Sequence, residues 1–262
     1  MKEITYPRLR RFNLLMGLLH FIQGSMMLYL SLTWDKIQAF KPRVVSNFFE
    51  FDITIPGLVN VQEEMFLLPF GILVSAFLLL SALAHFIISI PNAANRIYNR
   101  DLAKGINQFR WYEYALSSSL MIILIAALFG VTDIGALIVI FVVNASMNLF
   151  GLLMEKINVG KEKTDWSPFV FGSIAGIAPW VVIVLYGFGN ASPAEVPWFV
   201  YAIVGTYFVF FNLFPINMIL QYLKKGKWAN YLYGERGYII LSLVAKSVLA
   251  WLVLFGVMSP TG

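Results

Sequence analysis

Seven long apolar runs, separated by polar stretches, make up most of the chain. They lie at about 12–33, 61–90, 109–130, 134–154, 168–189, 196–222 and 237–257. Each is near or above the ~20 residues that a helix needs to cross the hydrocarbon of a bilayer. The pattern therefore predicts an all-α membrane protein, with residues 1–262 forming one seven-transmembrane helix bundle.

The stretch at 34–60 is the longest between two apolar runs, and it has a different periodicity. Residues 49–55 alternate apolar and polar side chains with period two, which is typical of a β-strand. We expect this segment to form one arm of a short β-hairpin in the first loop. The hairpin would serve either as a simple lid or as a partner surface, and the pattern favours neither.

Composition agrees with a membrane location. Hydrophobic residues make up 59% of the chain and charged residues 13%, about half the charged fraction of soluble domains. The absence of cysteine excludes disulfides and thiolate metal sites, and the two histidines lack metal-ligand spacing. The basic start resembles a signal peptide, but the first apolar run is too long and lacks a small-residue cleavage site, so we expect an uncleaved first helix.

Basic residues indicate the orientation. Of the 19 lysines and arginines, four precede the first run, four lie within 96–110, three within 156–163 and four within 224–236. The alternate loops contain Lys36, Lys41 and Arg43. The positive-inside rule therefore predicts a cytoplasmic N-terminus, an external loop at 34–60 and an extracellular tail at 258–262.

Two charges lie inside the predicted helices. Lys246 occupies the middle of the last apolar run, where a lysine costs about 2.5–3.5 kcal/mol on insertion scales and therefore requires a partner or a covalent use. Glu113, early in the third run, is the obvious counter-charge. The pair is either functional or a clamp between helices.

Further polar groups share this cytoplasmic depth. His20 and His85 lie in the cytoplasmic halves of the first two helices. Since residues three or four apart are neighbours on a helix, polar companions can be assigned to the same faces: Ser242 beside Lys246, Ser117 beside Glu113, Ser81 beside His85 and Gln23 beside His20, with Asn107 just before the third helix. Taken singly, each histidine or serine is explained by structural hydrogen bonding. Together they predict a hydrated cavity that opens towards the cytoplasm.

These features together resemble the heliorhodopsin family, which are retinal proteins of inverted topology. The resemblance rests on seven helices, a cytoplasmic N-terminus, Lys246 with Ser242 one turn before it, and the pair His20 and His85. It also rests on Arg-Trp-Tyr-Glu-Tyr at 110–114 and Asn-Ala-Ser-Met-Asn at 144–148. It extends over essentially the whole chain.

The resemblance implies all-trans retinal on Lys246 as a protonated Schiff base, with Glu113 as counterion and Ser242 as a hydrogen-bonding neighbour. A carboxylate within ~4–6 Å favours the cationic form, which burial alone disfavours. The resemblance also implies a network that shares the released proton, a task that suits imidazoles because they titrate near neutrality. The predicted members of this network are His20, Gln23, Ser81, His85, Asn107 and Ser117.

Retinal requires an apolar slot with aromatic walls. Asn144, Met147 and Gly151 share one face of the fourth helix, where the glycine leaves room for a ring. Tyr114 and Phe211 complete the predicted pocket, whereas the neighbouring Phe214 and Met218 are explained as ordinary packing.

A signalling or regulatory photoreceptor is favoured over a pump. Light-driven proton pumps commonly carry a second carboxylate eleven residues after the first and an aspartate four residues before the lysine. Leu124 and Ser242 occupy those positions here. Other carboxylates, including Glu155 and Glu235, are predicted at loops or helix ends. Two alternatives remain open: a light-gated ion channel or weak transporter, and a retinal-free membrane assembly protein that uses the Lys246–Glu113 pair as a clamp.

An enzyme is not expected, because the chain lacks a Ser-His-Asp set, a phosphate loop or paired carboxylates. Gly172 and Gly176 form a small-residue packing motif. It would serve contacts within the monomer or the homodimer that the resemblance implies. The expected partners are retinal, the lipid bilayer, a second copy and an unidentified cytoplasmic signalling partner, but no nucleic acid.

Overall fold

A computed structural model describes residues 4–54, 56–189 and 198–258. Its elements follow one another as α1 (Tyr6–Thr33), α2 (Asp35–Ala39), β1 (Arg43–Asp52), β2 (Gly57–Leu67), α3 (Phe70–Ser89), α4 (Asn92–Leu102), α5 (Gln108–Leu128), α6 (Ile134–Ile157), α7 (Ser167–Phe188), α8 (Trp198–Tyr222) and α9 (Tyr231–Met258). In this part of the chain seven helices, α1, α3 and α5 to α9, are long and apolar enough to cross a membrane, as predicted. Residues 196 and 197 of the predicted sixth span, and 259–262 of the predicted tail, lie outside the described residues.

The predicted hairpin is confirmed, but its first strand, predicted to include 49–55, ends at Asp52, and residue 55 lies outside the described residues. The second strand lies in a stretch that the hydrophobic pattern wrongly assigns to the second helix. β1 pairs antiparallel with β2, and Phe49 lies opposite Asn60. Residues 61–67 therefore belong to a strand, and the helix that follows begins at Phe70. The apolar residues of β2 extend the hydrophobic run of this helix towards the N-terminus. Glu63 and Glu64 in the strand are polar, however, and Pro69 at the N-cap separates the strand from the helix.

Three spanning helices extend several residues beyond their apolar runs. α1 begins at Tyr6 and α9 at Tyr231, before their predicted starts, and α6 continues to Ile157, past its predicted end. The short helices α2 and α4 were not predicted. Helical hydrogen bonding continues through polar turns, which a hydropathy pattern does not count. The extension matters because it brings charged residues into the bundle.

The bundle has an apolar half and a polar half. On the side of the hairpin, apolar residues of α5 and α9 such as Ile122, Ile125, Ala250 and Val253 pack into one continuous core. Lys246 and the buried charged residues Arg110, Glu155 and Glu235 lie towards the opposite side. This division follows the predicted grouping of polar residues at one depth.

Candidate functional site

A lysine and a glutamate form an ion pair inside the bundle. Lys246 Nζ on α9 lies 2.5 Å from Glu113 Oε1 on α5, and Lys246 is 3% exposed. Ser81 of α3 contacts both groups: its hydroxyl donates to Glu113 Oε1 at 2.6 Å and accepts from Lys246 Nζ. Removing one partner of such a buried pair typically costs about 3–5 kcal/mol, because the other charge is left uncompensated. Together with Ser81, the pair links α3, α5 and α9.

The hydroxyl beside the lysine differs from the one predicted. Helical spacing placed Ser242 next to Lys246 and Ser81 next to His85, but it is Ser81 that contacts Lys246. Ser242 instead lines the adjoining cavities, and Ser117 is buried one turn from Glu113. Contacts between helices depend on how the helices are rotated, which spacing within one helix does not reveal.

The two histidines are neighbours, as predicted. Their rings stack with centroids 5.6 Å apart, and His85 Nδ1 lies 2.9 Å from Asn13 Oδ1. Neither ring nitrogen of the buried His20 has a hydrogen-bond partner among the described residues. Asn13 was not predicted, although an amide near the start of the first apolar run could have indicated it.

Gln23 does not join this pair. Its amide donates to the carbonyl of Leu19, and its oxygen accepts from Trp251 Nε1 at 3.3 Å. Gln23 lies three residues from His20, but its side chain turns towards α9. The prediction that it accompanies His20 is wrong in this structure.

A cavity of about 270 Å³ adjoins Lys246. Its walls come from α5 to α9 and are largely aromatic and apolar. The predicted residues Tyr114, Met147, Gly151, Phe211, Ser242 and Lys246 all line it, and so do Phe214, Met218, Trp111, Phe169 and Tyr207. Asn144 does not; its amide donates to Ser118 and Ser119 at 2.9 and 3.0 Å, and Ser118 lines the cavity.

Glycines shape this cavity by admitting neighbouring side chains. A Cβ added at Gly151 would lie 2.3 Å from the ring of Trp111, so the ring that Gly151 accommodates is this indole. A Cβ at Gly176 would lie 2.6 Å from Met147 Sδ, and one at Gly172 would lie 3.1 Å from Phe150 Cβ. Gly172 and Gly176 therefore pack α7 against α6 within one chain.

A second buried ionic group, the Arg110 cluster, consists of Arg110, Glu155 and Glu235. Arg110 forms ion pairs with both glutamates, and all three residues are buried. Charge counting had treated Arg110 as a loop cation, and the two glutamates had been predicted at loops or helix ends. Both glutamates do lie near helix ends, because α6 continues to Ile157 and α9 begins at Tyr231. Their burial and their pairing with Arg110 were not predicted.

Hydrogen bonds surround the Arg110 cluster. Glu235 Oε1 accepts from Asn107 Nδ2 at 2.7 Å and from the Tyr98 hydroxyl at 3.1 Å, and Glu155 Oε2 accepts from Trp111 Nε1 at 2.6 Å. Burial, followed by the charge of Glu235, raises the pKa of Tyr98, which keeps its hydroxyl a donor. Asn107 thus belongs to this cluster rather than to the immediate surroundings of Glu113.

The cluster and the large cavity share a wall. The Arg110 guanidinium lies 4.0 Å from the ring centroid of Tyr238 and 4.8 Å from that of Trp111, distances that permit cation–π attraction. Trp111 also lines the large cavity. An indole is therefore in contact with both groups of residues.

Comparison with known proteins agrees with this arrangement. The model of one family, described as Heliorhodopsin, matches residues 9–258. No curated protein matches the chain. The family match covers nearly the whole chain, including the helices that contribute Lys246, Glu113 and the cavity. The chain belongs to the heliorhodopsin family, and it is a retinal-binding, light-sensing rhodopsin of the membrane.

Proposed function

We propose that Lys246 carries all-trans retinal as a protonated Schiff base, that Glu113 is its counterion, and that the protein uses light for signalling or regulation. The observation that carries the proposal is the position of Lys246. It lines an aromatic cavity of about 270 Å³, and its Nζ contacts Glu113. That volume lies just below the roughly 300–1,000 Å³ typical of ligand pockets.

The residues of the cavity fit the chromophore. Apolar and aromatic walls suit a polyene, and the cavity reaches a primary amine that can bond to an aldehyde. When bound, retinal supplies visible absorption and light-driven double-bond isomerisation. Tyr114 and Phe211 would confine it, with Trp111 on the α5 wall and Met147 on the α6 wall.

Glu113 and Ser81 would set the charge at Lys246 Nζ. Burial disfavours a cationic nitrogen, whereas a carboxylate in contact favours it. Glu113 supplies that carboxylate, and the Ser81 hydroxyl, which donates to Glu113 at 2.6 Å, holds it in place. The protonated form of the linkage is therefore the stable one in the dark.

Signalling is favoured over transport by the packing of the hairpin side. There Leu124 and Ile125 on α5 and Leu249 on α9 are each at most 4% exposed and form part of a continuous apolar core. An ion crossing this half would leave water without a polar partner, which is costly. Loops 96–104 and 224–236 on the opposite side would present the change to a cytoplasmic partner.

The proposed orientation places the N-terminus in the cytoplasm and the hairpin outside. The hairpin exposes apolar side chains, with Phe49 68%, Phe51 65% and Ile53 85% exposed. Such side chains fit the proposed homodimer, in which a second copy would cover them. Native mass spectrometry of the detergent-solubilised protein tests the dimer. A mass equal to that of one chain would contradict it.

Reconstitution with all-trans retinal tests the chromophore assignment. We expect Lys246→Ala to bind no pigment, because the amine that forms the linkage is gone. In Glu113→Gln the counterion is lost, so the absorption band shifts to the red if the linkage stays protonated and far to the blue if it does not. Visible absorption spectra of the purified proteins measure both.

The exposed Lys163→Ala and Glu162→Gln variants are matched controls that should keep the wild-type band. A colourless wild type, or colour that survives Lys246→Ala, would contradict the proposal. A sustained light-driven current or pH change in cells would instead support transport.

A further inference from the structure

We propose that Glu235, in the Arg110 cluster, accepts the proton that leaves Lys246 Nζ after illumination. This inference rests on the proposed function, because the proton is the one held at the linkage to retinal. It assigns the role of acceptor to a carboxylate rather than to the histidine pair that the sequence indicated.

A small cavity of about 30 Å³ lies between members of the two ionic groups. It is lined by Glu113, Ser81 and Ser242 around Lys246, and by Glu235, Arg110 and Asn107 of the second group. A water molecule needs about 10–15 Å³ of such volume, so the cavity has room for about two. The buried Arg110 Nε has no hydrogen-bond partner among the described residues, and a water here would accept from it. The cavity is therefore a short path for a proton.

The charges of the second group favour uptake of a proton. It holds two carboxylates for one guanidinium, whereas Lys246 and Glu113 balance each other. One buried negative charge is thus in excess, and a buried uncompensated charge is unfavourable. A proton on one carboxylate would leave a balanced pair.

Glu235 is the better acceptor of the two glutamates because it lines the small cavity and Glu155 does not. Glu155 already accepts from Arg110, Trp111, Tyr231 and the backbone N–H of Asn107. Glu235 accepts from three donors, Arg110, Asn107 and Tyr98.

Other titratable groups face this region. His85 on α3 and Tyr114 on α5 line the small cavity, and Tyr98 on α4 donates to Glu235. Transfer to His85 would replace one buried cation by another. Transfer to Glu113 or to Glu235 removes two buried charges and leaves one carboxylate without a counter-charge. After transfer to Glu113 the excess negative charge stays on the Arg110 cluster, whereas after transfer to Glu235 the cluster is balanced and Glu113 keeps the hydrogen bond from Ser81.

The step itself is a proton transfer. The N–H bond at Lys246 Nζ breaks and an O–H bond forms on a carboxylate oxygen of Glu235. The nitrogen changes from cationic to neutral and Glu235 from anionic to neutral. Net charge is conserved, and no electron moves.

Light-induced infrared difference spectra test the assignment. In the wild type we expect a carbonyl band of a newly protonated carboxylic acid, which shifts in D₂O. Glu235→Gln should lose this band while keeping its visible absorption. Glu155→Gln leaves one carboxylate for one guanidinium, so the band should weaken. The exposed Glu162→Gln should leave it unchanged.

A band of wild-type size in Glu235→Gln would overturn the inference, and because that variant is still coloured, the proposed function would stand. If Glu235→Gln does not fold, Glu235→Asp provides the same test, because it keeps an acid and should move the band. An unmoved band in Glu235→Asp would contradict the assignment.

A measurement without retinal is also available. In the retinal-free protein, pH-induced infrared spectra should show one fewer titrating carboxylate in Glu235→Gln than in the wild type. An equal number would mean that Glu235 does not take up a proton, which contradicts the inference.

Discussion

At the scale of single residues, the cavity beside Lys246 depends on one glycine. The sequence indicated that Gly151 makes space for a ring, but not which ring. In the structure the space is filled by Trp111, whose Nε1 donates to Glu155 while its ring lines the cavity. Gly151 thus positions an indole that lines the cavity beside Lys246 and contacts the Arg110 cluster.

Gly151→Ala should destabilise the pigment. The new Cβ would lie 2.3 Å from Trp111, and overpacking of this kind costs roughly 1–3 kcal/mol. The gain from replacing a helical glycine is smaller, about 0.5–1 kcal/mol, so the clash decides the sign. We expect a lower melting temperature and faster loss of the visible band on heating.

Gly205→Ala is the matched control. Gly205 is also helical, but a Cβ there would meet nothing within 4 Å. This variant should be as stable as the wild type or slightly more so. Equal melting temperatures for the two alanine variants would show that Trp111 moves aside without cost.

At the scale of elements, one carboxylate fastens the hairpin to the bundle. Asp133 caps α6 by accepting from Ala136 N at 2.9 Å, and its other oxygen accepts from Asn47 Nδ2 on β1 at 3.0 Å. These hydrogen bonds, that from Ala136 first, lower the pKa of Asp133. The cap and the strand are therefore coupled through a single side chain.

Asp133→Ala should lower stability by about 1 kcal/mol, the usual cost of losing an N-cap. Asp133→Asn should retain most of this stability, because an amide oxygen also caps a helix. Since the pKa of Asp133 is lower in the folded state, the contribution of its charge is present above about pH 4. It is lost as the pH falls through the folded value.

Thermal unfolding at neutral pH and near pH 3 measures the contribution of the Asp133 charge to stability. The difference between the wild type and Asp133→Asn should be small, because Asp133 is partly exposed, and it should shrink further on acidification. A difference that grows on acidification would contradict the assignment of the charge.

At the scale of the whole molecule, the two halves of the bundle have separate chemistry. Apolar packing closes the side of the hairpin, and both ionic groups lie towards the other side. In the proposed orientation, the proposed proton transfer from Lys246 to Glu235 takes place on the cytoplasmic side of Lys246. The change would then be read by the loops on that side.

Single cysteines test the orientation, since the chain has no cysteine of its own. We expect Glu50→Cys, on the exposed hairpin, to react with a membrane-impermeant thiol reagent on intact cells. Lys163→Cys, in an exposed loop at the other end, should react only after lysis. The cysteine-free wild type is the control, and the reverse labelling pattern would contradict the proposed orientation.

The sequence by itself determined the membrane class, the number of spanning helices, the hairpin and the shared depth of Lys246 and Glu113. The physical reason is that a bilayer offers no hydrogen bonds to the backbone. Long apolar runs must therefore be helical, and position along a helix sets depth. Helical spacing on α6 also grouped Met147 and Gly151, which line the cavity beside Lys246, with Asn144, which does not.

Only the tertiary structure decided which side chains meet. In the structure Lys246 donates to Ser81 rather than to Ser242. Gln23 accepts from Trp251, and Asn144 donates to Ser118 instead of lining the cavity. Arg110 also pairs with two glutamates that had been predicted at loops or helix ends. These contacts depend on the rotation and extension of neighbouring helices. Hydropathy does not encode those, because a polar residue at the end of an apolar run has the same pattern whether it faces water or another helix.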